Sequence, residues 1–108
     1  MIDHMTLGVS DFARSVAFYD QTFLPLGVTR LFDVPLEHTD GVHVTGYGDD
    51  RPWFWLAGEK PTTGLLHVAF TAVDRASVDA FHAAALLAGG TDNGLPGPRP
   101  HYLSLIHI

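Results

Sequence analysis

Residues 2–27, IDHMTLGVSDFARSVAFYDQTFLPLG, decide the fold, because they return without a gap as residues 65–90, LLHVAFTAVDRASVDAFHAAALLAGG. A constant offset of 63 places His4 on His67, Asp11 on Asp74, Ala13 on Ala76, Ala17 on Ala80, Phe18 on Phe81 and Gly27 on Gly90. In the first copy Met5, Leu7 and Val9 alternate with His4, Thr6 and Gly8, the period of a half-buried strand. Ser10-Asp11 supplies a helix N-cap, and Phe12, Val16, Tyr19 and Phe23 share one face of the helix that Pro25 and Gly27 end. The second copy reads the same way. Leu66, Val68, Phe70 and Ala72 alternate with Leu65, His67, Ala69 and Thr71; Asp74 caps a helix with Val78, Phe81, Ala85 and Ala88 on its apolar face, and Gly89-Gly90 closes it.

Outward from these copies, strands are expected at 28–34, 42–47 and 53–57, separated by turns around Thr39-Asp40-Gly41 and Gly48-Asp49-Asp50-Arg51-Pro52. The chain therefore reads as an internal duplication of a β-α-β-β-β unit, with unit one at about 1–58 and a partial unit two at about 64–102. The expected class is α+β, a mixed sheet of paired βαβββ units with helices on its outer face and the second unit incomplete. Residues 103–108, LSLIHI, can be back-translated as CTG TCT CTT ATA CAC ATC, which resembles the transposon end used in sequencing libraries. We expect the native reading to stop near Tyr102 and treat 103–108 as a non-native tail; a terminal strand is the alternative.

The 108 residues suit a single domain with a core of its own. The lack of cysteine removes disulfides, thiolate nucleophiles and Cys-ligated zinc. A net charge of -6, with only 6 Lys and Arg scattered along the chain, argues against a nucleic-acid partner. No apolar run approaches the ~20 residues of a spanning helix, and the N-terminus lacks the pattern of a signal peptide, so a cytoplasmic protein with no membrane partner is expected.

His4 and His67 are each the third residue of a unit's first strand, and each points away from that strand's apolar face. With helices over the apolar face, both imidazoles lie on the open face, where a pseudo-two-fold would bring them together. Neutral imidazole is a good ligand for divalent Fe, Mn, Ni and Zn, although either histidine alone also reads as a partly buried polar group. Trp53, Phe54 and Trp55 alternate on one strand, so one face is core and the other can line a pocket. His38 and His43 flank a turn and read as solvated loop residues, and His82 reads as surface. No nucleophile elbow or phosphate loop is found.

The stretches IDHMTLGVSDFARSVAFY and GLLHVAFTAVDRASVDAFHAAALLAGG resemble the two half-motifs of the vicinal oxygen chelate superfamily, which contains glyoxalase I, extradiol dioxygenases, fosfomycin-resistance transferases and bleomycin-resistance proteins. The likeness runs from about residue 2 to residue 102. It implies paired βαβββ units forming a cup around a divalent metal that binds two adjacent oxygens of a small substrate. It places His4 and His67 at two metal-ligand positions and His101 and Tyr102 near the mouth of the cup, where they could contact substrate beside the pocket face read above for Trp53 and Trp55. Two departures stand out. Trp53-Phe54-Trp55-Leu56 offers no ligand where glyoxalase-type sites have one, and the carboxylate usually found on the last strand would lie past this chain's end. The resemblance thus implies a truncated metal-dependent lyase or isomerase, dioxygenase or transferase, with a homodimer possible in the full-length form. A non-catalytic bleomycin-resistance-like small-molecule binder is the alternative.

Overall fold

The structure, a computed structural model, describes residues 1–90 together with the backbone pairing of 97–98 with 106–107. The first unit forms as its periodicity predicts. Strand β1 (Met5–Gly8) leads into helix α1 (Phe12–Thr22), and β2 (Thr29–Asp33), β3 (Val44–Gly48) and β4 (Pro52–Ala57) follow. Asp11 caps α1 by accepting a hydrogen bond from the Arg14 amide at 3.1 Å, satisfying one of the donors a helix start leaves open. A one-turn 3-10 helix, Leu24–Leu26, ends on Gly27, whose φ of 72° is left-handed and suits a residue without Cβ.

The four strands make one sheet in the order β1-β4-β3-β2. β1 runs parallel to β4, whereas β3 is antiparallel to both β4 and β2. Such a parallel pair requires a crossover, and α1 provides it across one face of the sheet. That face is the core: Phe23, Tyr47, Phe54, Leu56 and Val28 are buried, with Met5, Leu7, Val16 and Tyr19 packed against them. The Phe23 ring is its hub, with centroids 5.1 Å from Tyr19, 5.4 Å from Tyr47, 5.3 Å from Phe54 and 5.0 Å from Phe70. Aromatic pairs at such separations add to the stabilisation from burial alone.

Helix α2 (Arg75–Leu87) repeats the capping of α1, with Asp74 accepting from the Ser77 amide at 2.8 Å. It packs against α1 and the Leu24–Leu26 turn, burying Val78 and half-burying Phe81, Ala85 and Ala88, the face expected from its periodicity. His82 is half-buried here, not on the surface. The strand expected over 65–72 is not formed, and Leu65, Leu66 and Val68 are exposed. The first unit gives the physical reason. β1 takes its ladder from β4, whereas no described strand lies beside 65–72 to supply one. Phe70 joins the aromatic cluster. Within 97–108, β5 (Gly97–Pro98) pairs antiparallel with β6 (Ile106–His107), apart from the main sheet.

Two buried polar groups generate tests of this packing. The Tyr47 hydroxyl donates to the Asp20 carboxylate at 2.9 Å. Burial first, and then this bond to an anion, push its phenol above the ordinary tyrosine range. The folded state therefore favours the neutral phenol. Its contribution is whole below the ordinary tyrosine pKa of about 10 and is lost as pH rises beyond it, where the unfolded chain ionises first. Tyr47→Phe should lower stability at neutral pH by about 1–3 kcal/mol in denaturant melts and should flatten the fall in stability above about pH 10. The buried Thr22 hydroxyl has no hydrogen-bond partner among the described residues. Thr22→Val, which keeps the shape and removes the orphaned group, should be neutral or stabilise by about 1 kcal/mol in the same melts.

Candidate functional site

The face of the sheet opposite α1 carries the residues that could do chemistry. In register across the four strands lie Thr6 on β1, Trp55 on β4, Gly46 on β3 and, one step on, Phe32 on β2. A Cβ at Gly46 would sit 2.8 Å from both the Trp55 ring and the Pro52 side chain. Glycine is thus what allows the indole to lie close over β3. The indole reaches toward Phe32, with ring centroids 6.3 Å apart in edge-to-face geometry. At the other end of the row, His4, Thr6, Val44, Pro52 and Trp55 line an open groove of about 310 Å³.

His4 stands at the rim of this groove, just before β1 begins, and its side chain is 59% exposed. Its Nδ1 lies 2.7 Å from Asp3 Oδ2, and the other oxygen of that carboxylate, Oδ1, accepts from Arg51 Nη2 at 2.6 Å. Arg51 belongs to the turn between β3 and β4. The hydrogen bond from Arg51, and then the one from His4, hold the Asp3 carboxyl down to about 2, so it is ionised at any ordinary pH. A second recess, of about 420 Å³, lies beside Phe12 and His43. Its charged groups, Arg30 and Asp33, already pair at 3.8 Å, which leaves little net field for an ionic ligand. Its imidazole, His43, stacks on the Phe12 ring at 5.2 Å, whereas His4 is backed by a carboxylate.

The residues singled out from sequence have separate fates. His4 and Trp55 come together in the groove. Trp53 does not join them. The β3–β4 register shifts between Tyr47 and Gly48, leaving Trp53 as the extra residue of a bulge, and its ring sits 6.4 Å from Phe23 and 6.0 Å from Phe70. His67 is exposed on the irregular segment before α2 and is not part of the groove's lining. His101 and Tyr102 lie outside the described residues. His38 and His43 are exposed in the β2–β3 connection, with His43 stacked on Phe12 at 5.2 Å. Sequence reading missed Gly46, which only the register identifies as the floor under Trp55. It also missed the pairing of Asp3 with Arg51, 48 positions apart, which no local pattern announces.

A divalent ion of the Fe, Mn, Ni or Zn kind takes neutral imidazole, and His4 fits as one such donor, being accessible and outside the core. Among the described residues no three His, Cys, Asp or Glu side chains gather into a complete ligand set. Also among the described residues, no helix is long and apolar enough to cross a membrane.

Comparison with known proteins agrees with this architecture. Residues 1–106 match the sequence profile of the glyoxalase/bleomycin resistance protein/dioxygenase superfamily. Among solved structures, the chain is similar to a glyoxalase/bleomycin resistance protein from Albidiferax ferrireducens T118, with 27% sequence identity and a TM-score of 0.72. That likeness covers 90% of this chain and 80% of the other. No curated protein matches.

The floor of the groove can be tested directly. Gly46→Ala must displace the Trp55 ring or the backbone beneath it, so it should cost about 1–3 kcal/mol and alter the tryptophan emission of the folded protein. An unchanged spectrum and melt would show that the indole does not lie against β3.

Proposed function

Since the chain belongs to the glyoxalase/bleomycin resistance protein/dioxygenase superfamily, we propose that it represents a metal-dependent enzyme acting on a small substrate through two adjacent oxygens. The observation that supports this reading is the position of His4, on the open face of the sheet and at the rim of a groove walled by Trp55. In the proposal His4 would hold a divalent Fe, Mn, Ni or Zn ion together with His67, which lies outside the groove in this structure and would join it only once residues 65–72 pair as a strand, and with a third, carboxylate ligand from the last strand of a complete second unit. Such a metal supplies Lewis-acid polarisation of the two oxygens, as lyases, isomerases, dioxygenases and transferases of this type require. The chain's own residues supply the surroundings. Trp55 and Phe32 offer an aromatic shelf for the apolar part of the substrate, and Thr6 places a hydroxyl beside it.

A second reading, a non-catalytic small-molecule binder, is favoured by the same shelf. An indole edge-to-face with a phenyl ring suits a flat aromatic or cationic ligand without any metal. The similar structure's description as a glyoxalase/bleomycin resistance protein is compatible with both readings.

Calorimetric titration with Mn²⁺, Fe²⁺, Ni²⁺ and Zn²⁺ separates them. His4→Ala, and separately His67→Ala, should weaken the best-bound metal by about tenfold or more while circular dichroism stays unchanged, because neither side chain is buried. Wild-type affinity in both variants would remove the metal reading. Tight binding of an aromatic cation by metal-free protein, with quenching of tryptophan emission, would establish the binder in its place.

A further inference from the structure

We propose that Asp3 is a positioning residue for His4: its carboxylate, tethered by Arg51, fixes the imidazole as the Nδ1–H tautomer and leaves Nε2 with the lone pair that a ligand would use. The use of that lone pair for a metal rests on the function proposed above; the tautomer itself does not.

An ionised carboxylate only accepts, so the Nδ1 that lies 2.7 Å from Asp3 Oδ2 must carry the proton. A neutral imidazole has a single N–H, and Nε2 is then the nitrogen without one. This is the reverse of the tautomer that an unconstrained histidine side chain favours in water, so the protein must impose it. Asp3 can do so because both of its oxygens are committed, Oδ2 to His4 and Oδ1 to Arg51 at 2.6 Å. Turning the carboxylate would break one bond to spare the other.

The backbone permits the arrangement. On a strand, side chains of consecutive residues point to opposite faces, but Asp3 and His4 precede β1, which begins at Met5, and there the two can converge. Arg51 comes from the β3–β4 turn, next to Pro52 in the groove wall, and so ties the pair to the sheet across 48 positions of sequence. A carboxylate behind an imidazole fixes the ring's tautomer and orientation, the arrangement found behind ligating histidines. Exposed ion pairs add little to folding stability, and Asp3, His4 and Arg51 are all more than half exposed. The effect of the chain of contacts falls on ring orientation, and the relevant variants will fold.

Long-range ¹H–¹⁵N correlation spectra of the metal-free 108-residue protein, taken where imidazoles are neutral and assigned with His4→Gln, read the tautomer. The wild type should show the Nδ1–H pattern at His4. Asp3→Ala should convert it to mainly Nε2–H, whereas Arg51→Ala, and Asp3→Asn, whose single amide oxygen must serve either Arg51 or Nδ1–H, should each give a mixture. A His4 that is mainly Nε2–H in the wild type, or that keeps its pattern in Asp3→Ala, overturns the proposal. Zinc titration of the same samples tests the reading beneath it: Asp3→Ala should bind zinc about 10- to 100-fold more weakly. A tautomer that follows Asp3 in a protein whose zinc affinity ignores His4→Gln sustains the positioning role and ends the metal reading. A His4-dependent zinc affinity with a tautomer indifferent to Asp3 ends the positioning role and leaves the metal reading standing.

Discussion

The ring of Phe23 is where the pieces of this fold meet. It is fully buried, it closes helix α1 by donating its amide to the Tyr19 carbonyl, and its own carbonyl accepts from Leu26 and Val28 as the chain turns into β2. One residue thus ends the helix, starts the return to the sheet and fills the space between them. Tyr47 and Phe54 approach it from the sheet, Tyr19 from the helix and Phe70 from the segment before α2. Without that ring the crossover helix would lose its purchase on the sheet, and the parallel pairing of β1 with β4, which depends on the crossover, would lose its cover.

Concentrating the large side chains on the helix side has a consequence for the other face. Phe54 and Leu56 point into the core, so Trp55 between them must point out, and the open face receives an indole over a glycine and not a second packed layer. The bulge at Trp53 spares the site a second tryptophan by turning that ring back toward Phe23. A shallow groove results, bounded by an aromatic wall at one end and by a histidine backed by a carboxylate at the other.

Much of this was legible from local pattern. The Asp11 and Asp74 caps, the helical faces of Phe12-Val16-Tyr19-Phe23 and Val78-Phe81-Ala85-Ala88, and the four strands of the first unit all follow from period and capping chemistry. His4 was legible as an open-face residue because the alternating pattern of residues 2–9 sets it with Thr6 and against Met5 and Leu7, although β1 itself begins only at Met5. What could not be read depends on partners distant in the chain. Residues 65–72 have as good an alternation as β1, yet alternation describes only which faces a strand would show. Whether it becomes a strand depends on a ladder from another segment. Trp53 was misplaced by the same blindness, because a bulge is a property of two strands in register and not of one. Arg51 looked like an ordinary turn residue until the sheet brought its guanidinium to Asp3.

The parallel pairing of β1 with β4 sets an order of events. Met5 finds its partner in Phe54, 49 positions later, whereas β3 and β4 meet across the short turn that holds Arg51. Closing the long loop costs more chain entropy than closing the short one, so the β3–β4 hairpin can form early and β1 docks onto it late. As the chain leaves the ribosome, His4 emerges well before the residues that fix its place. Asp3 cannot find Arg51 until the whole first unit is out, so the carboxylate behind the imidazole assembles only on a sheet that has already been completed.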